Sequence, residues 1–259
     1  MARPVAAVQL IVFGSRSQTD FASVLSEVAQ AGFAAIEAGN LYETHGENMA
    51  LRLLAENDLT VSGAHFGYGE YSSPEKLKSH VLYAKAVGVK HMMCSGVADS
   101  KTAEGYKQSA KLFNAVGRAL AGEGIAFNYH NHAWEFDDLG GTNGMEILSR
   151  ETDPDLVKFN IDVFWVWYGG QDPAAFIRKH ADRAGYYHFK DGKRSSGQDG
   201  KPRPVFLELG RGDVDLRAAM AAARDTNPSY IVSEQDRTDL TPLEAVTVSR
   251  NYMREALDV

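Results

Sequence analysis

Cysteine is almost missing from this chain: Cys94 stands alone among 259 residues. A single thiol closes no intrachain disulfide, so the fold must rest on its core, and a reducing compartment suits it. Positive charge is also short. Lys and Arg number 27 against 34 Asp and Glu, giving a net charge of −7, the wrong footprint for duplex nucleic acid. No apolar run approaches the about 20 residues of a membrane-crossing helix, and there is no low-complexity tract or block of like charge. Residues 5–13 are apolar and follow Arg3, in the manner of a signal peptide, but Gly14-Ser15-Arg16-Ser17 offers no small-x-small cleavage site. A cytoplasmic protein with no nucleic-acid or membrane partner is the expectation. The G-x-G-x-x-G turn that a doubly wound dinucleotide-binding sheet carries after its first strand is absent too, and Gly210-Arg211-Gly212 follows a loop instead.

What the chain does have is regular alternation. Apolar runs predict strands over 5–13, 33–37, 59–65, 89–94, 125–132, 157–162, 184–190 and 230–234. Helices are predicted between and after them, over 20–31, 47–57, 73–87, 102–122, 143–150, 173–180, 214–224 and 242–257. The first shows the logic: Phe21, Val24, Leu25 and Val28 repeat at helical spacing, and Gly32 stops the run. Eight strands, each followed by a helix with no break in composition, predict a (β/α)₈ TIM barrel of the α/β class, one domain over 1–259. The polar segment 191–204, with Lys193, Arg194, Ser195, Ser196, Gly197, Gly200 and two prolines, is long for a connection and reads as a lid or a loose excursion.

The stretch that carries chemistry is Phe127-Asn128-Tyr129-His130-Asn131-His132-Ala133-Trp134-Glu135-Phe136. In a strand His130 and His132 share a face, and Glu135 follows just past its end. Alone, these histidines could simply bond neighbouring backbone, with Glu135 a solvated acid. Other strand ends carry ionisable groups as well: Glu37, His65, Asp162, His188 with Lys190 and Asp191, and Glu234 with Asp236. In a barrel these ends converge on one mouth, where the fold places catalysis. Glu135, Asp162, His188 and Glu234 come from consecutive strands. Three carboxylates and an imidazole so crowded repel and titrate upward unless a cation joins them. One divalent metal is therefore expected, Mn²⁺ ahead of Mg²⁺, Co²⁺, Fe²⁺ or Zn²⁺. The alternative is an ionic cluster with no ion.

These motifs, His130 to Phe136, Asn160-Ile161-Asp162, His188-Phe189-Lys190-Asp191 and Ser233-Glu234, resemble those of the xylose isomerase-like superfamily of sugar isomerases and epimerases, across essentially the whole chain. The resemblance implies a metal held by Glu135, Asp162, His188 and Glu234. It implies proton transfer beside the carbonyl of a keto-sugar or polyol, with Glu135 and Glu234 as base and acid on opposite faces and His132 in reserve. A lyase on the same scaffold, such as inosose dehydratase or a 3-keto-glycoside cleaving enzyme, shares the first step. An endonuclease IV-like enzyme would need more histidine ligands and a basic surface. A non-catalytic sugar-binding barrel would have lost its ligands. His65, Lys190 and Glu37 are the candidates to bind sugar hydroxyls, and Trp165, with Trp167, to wall the sugar face. His130 is expected as a satisfied core histidine. Homo-oligomerisation is left open.

Overall fold

In the computed structural model, which describes residues 3–197, 200 and 202–259, eight parallel strands close into a barrel. They are β1 (Val5–Gln9), β2 (Ala35–Ala38), β3 (Thr60–Gly67), β4 (His91–Ser95), β5 (Ala126–His130), β6 (Val157–Asp162), β7 (Ala184–Phe189) and β10 (Tyr230–Ser233). Each pairs with its sequence neighbour among these, and β10 closes the ring on β1 through Val5↔Tyr230 to Val8↔Ser233. The TIM-barrel expectation is met. Among the described residues no helix is long and apolar enough to cross a membrane.

Helix starts follow the capping residues in the sequence. Ser73 before Pro74, Thr102, Asn143 and Asp172 before Pro173 each accept a backbone N–H of the first turn, a contact typically worth about 1 kcal/mol. Thr241 and Glu244 complete a reciprocal capping box ahead of the last helix, Pro242–Ala256.

Two expectations change. The first strand ends at Gln9, not at residue 13, because Leu10–Phe13 winds into a 3₁₀ turn that Gln9 caps. The polar segment after β7 is not a loose loop. It forms an antiparallel hairpin, β8 (Asp191–Ser196) with β9 (Pro202–Leu207), whose tip residues 198, 199 and 201 lie outside the described residues. Its root is fixed by Asp191, whose buried carboxylate accepts the backbone N–H groups of Gly192, Gly210, Gly212 and Val214 at 2.8–3.3 Å. Position 212 must be glycine, since a Cβ there would lie 2.0 Å from Asp191 Oδ1.

Candidate metal centre

The strand ends deliver their polar side chains inward. Register sets Asp162 of β6 beside His188 of β7, and His130 of β5 beside Asn160 of β6. Ligand atoms of His130, Asp162, His188 and Glu234 all lie within 4.8 Å of one another. All four are buried, as are Glu37 and Lys190. The convergence foreseen from the sequence is therefore present, with one change of membership: Glu135 is replaced by His130.

The reason is local. β5 ends at His130, so the period-two rule stops there. Asn131 then continues the link to β6 with its side chain, accepting from Asp162 N at 3.1 Å and donating to Asp162 O at 3.4 Å. The chain next turns through Trp134–Phe136 in a 3₁₀ helix. That turn sends the Glu135 carboxylate back to accept from His132 N at 2.8 Å and from Tyr129 Oη at 2.5 Å. Tyr129 alternates with the inward His130 and packs against Phe113 of the helix Ala103–Ala121, with ring centroids 5.3 Å apart. Glu135 thus sits on the outer, helix-facing side of the strand. Burial there pushes its carboxyl up to about 7.

His130 is no ordinary core histidine. It packs 4.6 Å from His188 and 5.0 Å from His65, centroid to centroid. His132 stacks on Trp134 at 4.0 Å, and its Nδ1 is buried with no partner. Burial holds that imidazole down to about 3, so it is neutral at physiological pH.

Asp162 is the carboxylate the cluster compensates least. Burial pushes the Asp162 carboxyl up to about 8. One of its oxygens accepts from Trp165 N at 2.9 Å, while Oδ2 is buried with no partner. His188 bonds carboxylates through both nitrogens: Nδ1 lies against Glu234 Oε2, and Nε2 is 2.7 Å from Glu37 Oε2. Burial disfavours its charge, but Glu37 and Glu234 outweigh that and raise it to about 10. A proton on His188 therefore stands where a ligand's lone pair is needed, the usual competition between proton and metal. An unpartnered carboxylate oxygen inside two imidazoles and a second carboxylate is a donor set that fits a divalent metal.

Around this cluster lie the other residues singled out from the sequence. Lys190, fully buried, donates to Glu234 Oε1 at 3.3 Å and pairs with Asp236. Its ammonium also lies 4.8 Å from the ring centres of both Trp165 and Phe206, the latter on β9, so the hairpin reaches the mouth. His65 Nδ1 is 2.8 Å from Glu37 Oε1, and its Nε2 bonds Ser95 Oγ. Burial disfavours the Glu37 anion, yet His188 and His65 hold it down to about 2. Trp167 stands apart, stacked under Arg194 of β8 at 4.5 Å. Ser95 and Phe206 were missed from the sequence, being ordinary residue types with no titratable signal, and Asn160 was read only as part of the Asn160-Ile161-Asp162 motif, with no role of its own. The surface grooves of about 500 and 550 Å³ lie between outer helices and include none of the cluster.

Comparison with known proteins places this geometry. The family model of the xylose isomerase-like TIM barrel matches residues 25–256. An inosose dehydratase of Clostridium tetani (strain Massachusetts / E88) is 25% identical over 272 residues, spanning 92% of this chain and 90% of that protein. A sugar phosphate isomerase/epimerase from Parabacteroides distasonis ATCC 8503 superposes with a TM-score of 0.80 at 21% identity, over 99% of this chain and 95% of that one. The IOLI protein with a bound zinc atom gives a TM-score of 0.75 at 14% identity, over 98% of each. At such identities the solved structures speak for the fold.

Proposed function

The chain belongs to the xylose isomerase-like TIM-barrel family, and from that premise we propose a divalent-metal enzyme that moves a proton beside the carbonyl of a keto-sugar or polyol ketone, as an isomerase or epimerase. The observation that carries this reading is the unpartnered Asp162 Oδ2 within the ring of His130, His188 and Glu234 at the barrel mouth. Those four residues would hold the metal. Bound there, a divalent cation supplies Lewis-acid polarisation of a carbonyl oxygen and stabilises the enediolate charge.

The chain's own groups do the rest. Glu234 divides its oxygens, Oε2 toward His188 and Oε1 toward Lys190, so one carboxylate oxygen serves the centre while the other exchanges a proton with substrate. His132, neutral and with an unpartnered Nδ1, takes the role first assigned to Glu135 as the second proton-transfer group. Lys190 holds positive charge against the developing oxyanion, and the Trp165 and Phe206 rings exclude water from it. Ser95, on the strand opposite and bonded to His65, is placed to meet substrate hydroxyls.

Elimination is the second reading, favoured by the removal of Glu135 from the mouth. With no glutamate pair across the substrate, Glu234 or His132 takes the proton beside the ketone and delivers it to the β-hydroxyl, which leaves as water, the outcome in the name of the inosose dehydratase relative. Metal analysis and turnover in D₂O test both. We expect one Mn²⁺ per chain, lost in His130→Ala and retained in Glu135→Gln. Deuterium in recovered product without loss of water marks an isomerase or epimerase, and a dehydrated product marks a lyase. If the ion is lost from Glu135→Gln and kept in His130→Ala, the ligand assignment is wrong.

A further inference from the structure

We propose that Glu37 turns His188 toward the metal, its carboxylate accepting the Nε2–H of His188 so that Nδ1, on the Glu234 side, is the ligating nitrogen. This rests on the metal reading above and goes past it, giving Glu37 a positioning role in place of contact with a sugar hydroxyl. Glu37 lies on β2 and His188 on β7, strands that are not neighbours in the barrel, so the 2.7 Å bond crosses the barrel interior. An ionised carboxylate only accepts hydrogen bonds, and a neutral imidazole has one N–H and one lone pair. Both His188 nitrogens face carboxylates, Nε2 toward Glu37 and Nδ1 toward Glu234, so when Nδ1 gives up its proton to an ion shared with Glu234, the proton that stays is the one held by Glu37. Carboxylate partners of this kind fix the tautomer of ligating histidines and raise their basicity.

The same reasoning runs outward from Glu37. Its Oε1 is 2.8 Å from His65 Nδ1, which must also be an N–H. His65 Nε2 then accepts from the Ser95 hydroxyl. Inward, Asn160 presents Nδ2 at 3.1 Å to His188 Nε2 and at 3.4 Å to His130 Nδ1, while its Oδ1 is buried with no partner. An N–H on His188 Nε2 meeting an amide N–H₂ is a mismatch. Turning the Asn160 amide over lets one oxygen accept from both rings, which leaves His130 Nε2 free to ligate. One carboxylate and one amide then set the tautomers of both ligating histidines.

Glu37, His65 and His188 could themselves be mistaken for a second ion site, since their ligand atoms also lie within 4.8 Å of one another. Filling both sites would strip His188 of both ring protons, whereas the present inference keeps one on Nε2 and allows a single ion.

Calorimetric titration of Mn²⁺ into chelator-stripped protein tests this. Wild type should bind one ion, and Glu37→Gln, nearly isosteric but a weaker acceptor, should bind one ion with its Kd raised about 10–100-fold. His65→Gln, which removes the other partner of Glu37, should move Kd much less. An unchanged Kd in Glu37→Gln, or two ions per wild-type chain, overturns this inference alone; a wild type that binds no ion overturns the metal reading with it. Should Glu37→Gln fail to fold, long-range ¹H–¹⁵N spectra of histidine-labelled, Zn²⁺-loaded wild type decide the point. A proton on His188 Nε2 is expected, and a metal-bound Nε2 overturns the assignment.

Discussion

Two layers of the barrel interior lie one period-two step apart on the same strands, and they could hardly differ more. The lower layer is a small apolar plug of Ala7, Ala35, Met93, Tyr186 and Val232, separate from the main core outside the sheet. Two residues further along those strands stand Gln9, Glu37, Ser95, His188 and Glu234. One step of register converts packed hydrocarbon into a buried, charged centre. The plug stabilises by burial and close packing. The upper layer withdraws several ionisable groups from water, a cost that pairing must offset, and such a buried cluster marks a candidate functional site. In a TIM barrel that division follows chain direction: the C-terminal ends hold chemistry and the rest holds the fold.

The largest expected effect sets the layers directly against each other. Asp162→Asn keeps the bond to Trp165 N but removes the charge whose Oδ2 has no partner. It should reduce turnover beyond the ~100-fold typical of losing a mere supporting partner, while metal-free thermal stability holds or rises. Met93→Ala should do the opposite, costing about 2–5 kcal/mol of stability and leaving Mn²⁺ affinity close to wild type. Thermal melts and calorimetry on both variants check the pair. A plug variant that loses metal affinity while still folded would show that the layers are not separable.

The layers were unequally legible in the sequence. Strand existence and order were readable because hydrophobic periodicity is a local property, and the 157–162 strand was placed at its observed bounds. Asp162, His188 and Glu234 were readable because charge at a strand's C-terminus has few structural uses. The fourth member of the cluster was not legible: the structure brings His130, rather than Glu135, to the other three. Glu135 looked the better donor by residue type, but whether it or His130 faces inward depends on where β5 stops. That end is fixed by Asn131 bonding to the β6 backbone, a tertiary contact no local pattern contains. The hairpin after β7 was hidden for a related reason. Its first strand is mostly polar, its second carries two prolines, neither has a fully buried face along its length, and they pair only with each other, so no buried face stamped alternation on the sequence.

A smaller effect probes how tightly the lower layer is filled. A Cβ at Gly63 would lie 2.4 Å from Met93 Cε and 2.7 Å from Tyr186 Oη. Gly63→Ala should therefore cost about 1–3 kcal/mol by overpacking. Because Met93 Cε is the flexible end of a side chain, Met93→Ala should recover part of that cost, a positive coupling in a double-mutant cycle. Additive losses would mean that the Tyr186 contact, not Met93, limits the space.

The smallest effect concerns a histidine on the plug's side, His91, the first residue of β4. Its ring centre is 5.0 Å from that of Tyr186, and its Nδ1 is buried with no partner. Burial, only partly opposed by the distant charge of Glu37, lowers it from the usual 6.5 to about 4. The sign follows from linkage. Between pH 6.5 and 4 the unfolded chain binds this proton and the native chain does not, so stability is lost as pH falls through that window and is unaffected above it. Allowing for the ring's partial exposure, the loss is about 1–2 kcal/mol. His91→Gln should remove that component, so the gap in melting temperature between wild type and variant should move in the variant's favour by a few degrees from pH 7.5 to pH 4.5. A pH-independent gap would mean that His91 has a partner in solution.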